Sequence, residues 1–124
     1  MVALKMTNGT AHYLVSEANG MYRSRGTGIV TGAAGGPILA GTILGKLTAT
    51  GKHIPLVTGA ADGSQTPAAI LFEDVPVGAV DHKRTLTQRD CEVKAGQLIY
   101  PTGANDAAKL AINVGLAALG IITR

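Results

Sequence analysis

The stretch AGTILGKLTATGKHIP, Ala40–Pro55, places a Gly-Lys pair inside a glycine-rich run and repeats Gly-Lys six residues later. A phosphate loop would make the chain an α/β nucleotide-binding fold; a strand, a break and a second strand would make it a β-domain. Spacing separates the two. A phosphate loop needs four residues between its glycines, then Lys, then a Ser or Thr whose hydroxyl reaches the magnesium ion. Here three residues separate Gly41 from Gly45, and Leu47 stands where the hydroxyl belongs. No clear helix follows to aim its N-terminal dipole at a phosphate. Ile43, Thr48 and Thr50 are β-branched and favour extended backbone, and Gly51-Lys52 is a hairpin-type break. "HIPLV" is a second short strand, which Pro55 limits to an edge or a strand start.

"TGIVTG" and "ILAGTILGKLTAT" read as strands flanking the "AAGGP" turn, and "TGAADGSQTP" is a loop with an Asp62-Gly63 turn signal. "AAILFEDV", Ala68–Val75, is a buried strand ending at Pro76. Further on, Cys91 and Val93 share one face of a strand whose other face carries Asp90, Glu92 and Lys94. Asn105 or Asp106 caps a helix through "DAAKLAINVGLAAL", with Leu110, Val114 and Ala117 or Ala118 on one face and Gly120 as a stop. Asn113 and Gly115 weaken that helix by propensity. No repeat of 20 to 50 residues is present.

The totals agree with a β-rich class. A chain of 124 residues suits one compact domain with a modest core. Hydrophobic residues make up 46% but aromatics only 3%, so Ala, Val, Ile and Leu must build that core. Seventeen glycines and five prolines indicate frequent turns. The net charge of +3 is spread along the chain rather than gathered in a basic stripe with interleaved aromatics, so direct nucleic-acid binding is not expected. Residues 26–45 are uncharged for 20 positions, the length of a membrane span, yet seven glycines, three threonines and Pro37 leave few strongly apolar side chains. Neither a membrane segment nor a signal peptide is expected, and the chain reads as soluble and unexported.

Residues 1–25 differ in kind. Met6–Gly26, "MTNGTAHYLVSEANGMYRSRG", holds one short apolar run and is otherwise polar, with two of the three tyrosines. A segment that cannot bury its own surface is disordered or completed by a partner, so it reads as an arm ahead of a domain at 26–124.

No residue pattern in the sequence carries a catalytic or metal-binding signature. "GTGIVTGAAGG" misses the dinucleotide fingerprint because its third glycine, Gly32, arrives one position late. His12, His53 and His82 are not at metal-ligand spacing and read as surface or turn residues. Cys91 stands alone and reads as a small buried thiol. Glu73-Asp74, Asp90 and Glu92 show no convergence, because alternation sends neighbours to opposite faces. No catalytic residue, cofactor or metal is expected, which leaves binding and assembly.

Several segments together resemble the lambda-type phage head decoration proteins: "YLVSEANGMYRSR" (Tyr13–Arg25), "AGTILGKLTATGKHIPL" (Ala40–Leu56), "AADGSQTPAAILFEDV" (Ala60–Val75), "RDCEVKAGQLIYP" (Arg89–Pro101) and "LAALGIITR" (Leu116–Arg124). They follow family order over most of the chain. The "GAAGGP" turn and Cys91 depart from the pattern. The resemblance implies a β-rich α+β fold: a small β-barrel or β-tulip-like decoration domain with one short C-terminal helix and an extended N-terminal arm. It implies a homotrimer bound to the major capsid protein at local threefold positions, on the outer surface of the virion capsid. Such a protein, made in the host cytoplasm, cements the expanded head against DNA pressure and has no enzymatic role. Within the arm, Tyr13, Leu14 and Tyr22 are then the expected apolar anchors, with Glu17, Arg23 and Arg25 setting register by charge pairing. The competing classes are a ligand-binding β-barrel or enzyme with an anion site at Lys46, Lys52 and Arg84, and a carbohydrate-binding module, for which exposed aromatic platforms are scarce.

Overall fold

The structure is a computed structural model that describes residues 9–18 and 23–124. Five strands close into a barrel: β2 (Arg25–Thr31), β3 (Ile43–Lys46), β4 (His53–Pro55), β5 (Pro67–Leu71) and β6 (Asp81–Thr87), in the order β2-β4-β3-β5-β6. Against it lies a three-stranded sheet ordered β1-β7-β8, from β1 (Leu14–Glu17), β7 (Cys91–Val93) and β8 (Ile121–Thr123), with helix α1 (Asp106–Ala117) leading into β8.

Alternation explains how short strands fill two cores. On β3 and β5, Ile43 and Ile70 face the space under the sheet and helix, while Leu44, Ala69 and Leu71 face the barrel interior. The first cluster joins Tyr13, Leu98, Ile112, Leu116 and Ile121; the second joins Val30, Ile38, Val75 and Leu86. A single core was expected; β3 and β5 form a wall buried on both faces, which gives two. The wall has no room to spare: a Cβ on Gly45 would meet the Ser64 carbonyl oxygen at 2.3 Å.

The stretch expected as one long strand, Ile38–Thr50, is strand only at Ile43–Lys46, because Gly41 turns the chain with φ +93°. Pro55 ends β4, and its position shapes the barrel. Leu47 N donates to Lys52 O (2.8 Å) and Leu56 N to Ile43 O (3.0 Å), so the residues between alternate. His53 and Pro55 therefore aim their backbone groups toward β2. Proline has no N–H to offer, and the parallel β2–β4 ladder is a single pair, Val30 with His53. Beside this seam, Lys52 pairs with Asp81 at 2.5 Å, and Asp81 also accepts from Thr31 Oγ1 at 2.8 Å.

The arm expected over residues 1–25 is corrected where it is described. Residues 14–17 form β1, antiparallel to β7, and Arg25 begins β2 in the barrel. The segment does bury surface, because Tyr13 reaches a core built from distant parts of the chain. Residues 1–8 and 19–22, Tyr22 among them, lie outside the described residues.

Helix α1 forms as expected, with Asn105 Oδ1 accepting from Ala108 N at 2.9 Å. Its inward face is not the expected one. Ile112 and Leu116 are buried, whereas Leu110 and Val114 are 65% and 64% exposed. Gly115 presses on the Pro67 ring, where a Cβ would stand 3.0 Å from Cγ, and Tyr100 donates its hydroxyl to Asn113 Oδ1 at 2.6 Å. Those two contacts flank the Ile112–Leu116 face and turn Leu110 outward.

Candidate functional site

Of the six residues expected to meet a partner, four are committed to the domain itself. Tyr13 is fully buried, and its hydroxyl lies 2.6 Å from Thr87 Oγ1. Burial raises its pKa, since the phenolate would lose its hydration. Leu14 is half-buried against the same core. Arg25 donates from Nε to Glu17 Oε2 (2.9 Å) and from Nη2 to Glu17 Oε1 (2.6 Å), a bidentate pair that ties β1 to β2. Ser24 Oγ also donates to Glu17, and the Arg25 guanidinium carbon sits 4.5 Å above the Phe72 ring. The fifth, Arg23, has a side chain 68% exposed and stands 3.8 Å from Asp90. The sixth, Tyr22, is outside the described residues.

The Glu17 pair is a stability device with a defined pH dependence. Hydrogen bonding from Arg25 holds the Glu17 carboxyl below its usual range, outweighing the opposite effect of burial. A lowered folded pKa contributes stability that is fully present above the unfolded value and is lost as pH falls through the folded one. Glu17→Gln is therefore expected to unfold at lower urea than wild type at neutral pH, with the gap closing below the usual glutamate range. A gap that is constant across an acid titration of the urea midpoint would refute the assignment.

Two of the three cations expected to form an anion site are paired within the domain. Lys52 is engaged by Asp81, and Arg84 lies 4.0 Å from Glu73 Oε1 while its Nε donates to the Asp74 carbonyl at 3.2 Å. An open groove of about 480 Å³ is lined by none of these cations. Its walls are Pro37, Leu39, Ile43, Pro55, Ile99 and Tyr100 with their neighbours, and no charged residue. Such a groove can hold apolar matter, and the polar side chains in its lining are the hydroxyls of Thr42, Tyr100 and Thr102.

The remaining candidates are structural. His53 is corrected from a surface or turn position: it is 5% exposed in the barrel wall, with Nδ1 3.4 Å from the Ile29 carbonyl, and burial lowers its pKa. Burial pushes the Cys91 thiol up to about 11, so little thiolate exists at neutral pH. Asp74 accepts from Ala40 N at 2.7 Å, and Glu92 accepts from Arg124 at 2.6 Å and from Ser16 at 3.2 Å. Among the described residues no cluster of His, Cys, Asp and Glu is arranged to hold a metal, and no helix is long and apolar enough to cross a membrane. Thr87 and Phe72, partners of Tyr13 and Arg25, escaped the sequence reading because each lies far along the chain with no local signal.

A family model described as bacteriophage lambda head decoration protein D matches residues 3–121 of the 124-residue chain. No curated protein matches it.

Proposed function

The chain belongs to the bacteriophage lambda head decoration protein D family, and on that premise we propose that it is a structural cement of the phage head. In this reading it binds the major capsid protein as homotrimers at local threefold positions on the outer surface of the expanded head. There it braces the shell against the pressure of packaged DNA, with no enzymatic role. The observation that carries the proposal is the extent of the family match, which spans the barrel and strands β1 and β7 of the three-stranded sheet.

In this reading attachment falls to residues 1–8 and 19–23, of which Arg23 has an exposed side chain. Tyr13, Leu14, Glu17 and Arg25 instead hold β1 in place. Three such segments on one trimer would act together, since linked contacts multiply through effective concentration. Strand addition to the shell protein supplies the contact chemistry.

Removing residues 1–8 tests this without touching Tyr13 or β1. The expected product is a folded trimer that no longer co-sediments with expanded empty heads at full occupancy. Full occupancy by the truncated chain would defeat the attachment proposal, and a monomeric wild-type chain that leaves heads bare would defeat the decoration reading.

A further inference from the structure

The pair that closes the barrel, Val30 with His53, is also where an imidazole is buried. The His53 ring occupies the space that a side chain on Gly28 would need: a Cβ there would stand 2.9 Å from the ring Cε1, 3.0 Å from Nδ1 and 2.8 Å from Leu86 Cδ1. Leu86 is fully buried and belongs to the barrel core with Val30 and Leu44. The ring therefore seals that core at the β2–β4 seam and rests on the backbone of the strand it holds. Its own bond across the seam is weak. Nδ1 donates to the Ile29 carbonyl at 3.4 Å, longer than the roughly 2.7–3.2 Å of a good N–H···O bond.

A charged ring fits this place badly, and the groups around it add to the difficulty. On β3 its register partner is Lys46, whose charge lowers the His53 pKa in the same direction as burial does. On β6, His82 stands opposite Val30 and Arg84 opposite Gly28. The charged residue of β2 is Arg25, which is bound to Glu17. Just ahead of β4, Lys52 is paired with Asp81, and that carboxylate also accepts from Thr31. A buried imidazole beside a lysine stays neutral and takes up a proton when water reaches it.

We infer that His53 is an acid-sensitive latch of the free chain: proton uptake moves its ring into water and frees β4 from β2, while the antiparallel ladders of the barrel stay paired. Its folded pKa is lowered, so the stability it lends to the closed barrel is fully present above the ordinary histidine value and is lost as pH falls toward the folded one. Asp81 and Glu17, both held below the usual carboxylate range, keep their charges down to pH 5. At that pH an exposed imidazole of ordinary pKa, about 6.5, is charged about thirtyfold over neutral, which sets the largest gain in the open form.

The test follows amide hydrogen exchange by NMR in the full chain at pH 7 and pH 5, each rate corrected for the intrinsic effect of pH. The amide at position 53, aimed at β2, reports on the latch; the Leu71 amide, which donates to the Thr42 carbonyl at 2.9 Å, reports on the rest of the barrel. Position 53 is expected to lose about tenfold or more in protection between the two conditions, and Leu71 less than about twofold. His53→Asn offers a donor to the Ile29 carbonyl and cannot charge, so its protection at position 53 is expected to be the same at both pH values. His12→Asn/His82→Asn leaves His53 as the one imidazole of the chain and is expected to respond as wild type. This double variant decides the matter if His53→Asn fails to fold. An unchanged protection at position 53 in wild type overturns the inference, as does an equal loss at Leu71, which would mark global unfolding. A loss that survives His53→Asn, or that vanishes in His12→Asn/His82→Asn, overturns it as well.

Discussion

Tyr13→Ala is expected to destabilise the isolated chain by about 3–5 kcal/mol, the cost of emptying a fully buried aromatic site. That is a large share of the roughly 5–15 kcal/mol that holds a typical domain together. The loss has two parts that a second variant separates. Tyr13→Phe keeps the ring and removes only the hydroxyl, which strands the buried Thr87 Oγ1 and costs about 1–3 kcal/mol. Both values are read from urea unfolding of the free chain, with no head present. A side chain reserved for a partner would behave differently, because surface substitutions change stability by no more than about 0.5 kcal/mol. An unfolding midpoint unchanged in Tyr13→Ala would show that the residue is not packed as described, and would return it to the attachment segment.

The second large effect lies on α1. Leu116→Ala removes a fully buried side chain from the cluster shared with Ile43, Ile70 and Ile121, at about 2–5 kcal/mol. Leu110→Ala, six positions earlier and 65% exposed, is expected to stay within about 0.5 kcal/mol of wild type. The pair measures the rotation of the helix about its own axis. If the two costs are exchanged, the face expected from periodicity is the buried one and the orientation described above is wrong.

That helix shows where sequence reading succeeds and where it stops. Its start was legible because an Asn cap acts within four residues, and the Asn105–Ala108 hydrogen bond has that reach. Its buried face was not, because Leu110/Val114 and Ile112/Leu116 form rival apolar stripes on one helix. The choice between them is made by Pro67 and Tyr100, which no local pattern brings near. The alternation at Cys91 and Val93 was legible for the same local reason, and both are buried. The segment at Tyr13–Glu17 failed in the opposite way. It carries too little apolar surface to fold by itself, so composition made it an arm, yet the β7 ladder, Thr87 and Arg25 complete it from 8 to about 80 residues away. The uncharged character of residues 32–39 was evident from the start, but its union with residues 75–80 into one face needed the structure.

The seam of one pair between β2 and β4 gives the barrel a preferred line of tearing. Parted there, the wall would uncurl into a ribbon ordered β4-β3-β5-β6-β2, in which every remaining contact is antiparallel. No other ladder would have to break, and the side-chain links across the seam among the described residues are the Lys52–Asp81 clasp and the His53 ring nitrogen at the Ile29 carbonyl. Sideways tension on the domain should thus be met first by unrolling, from which the intact ribbon can close again, and only afterwards by the parting of strands.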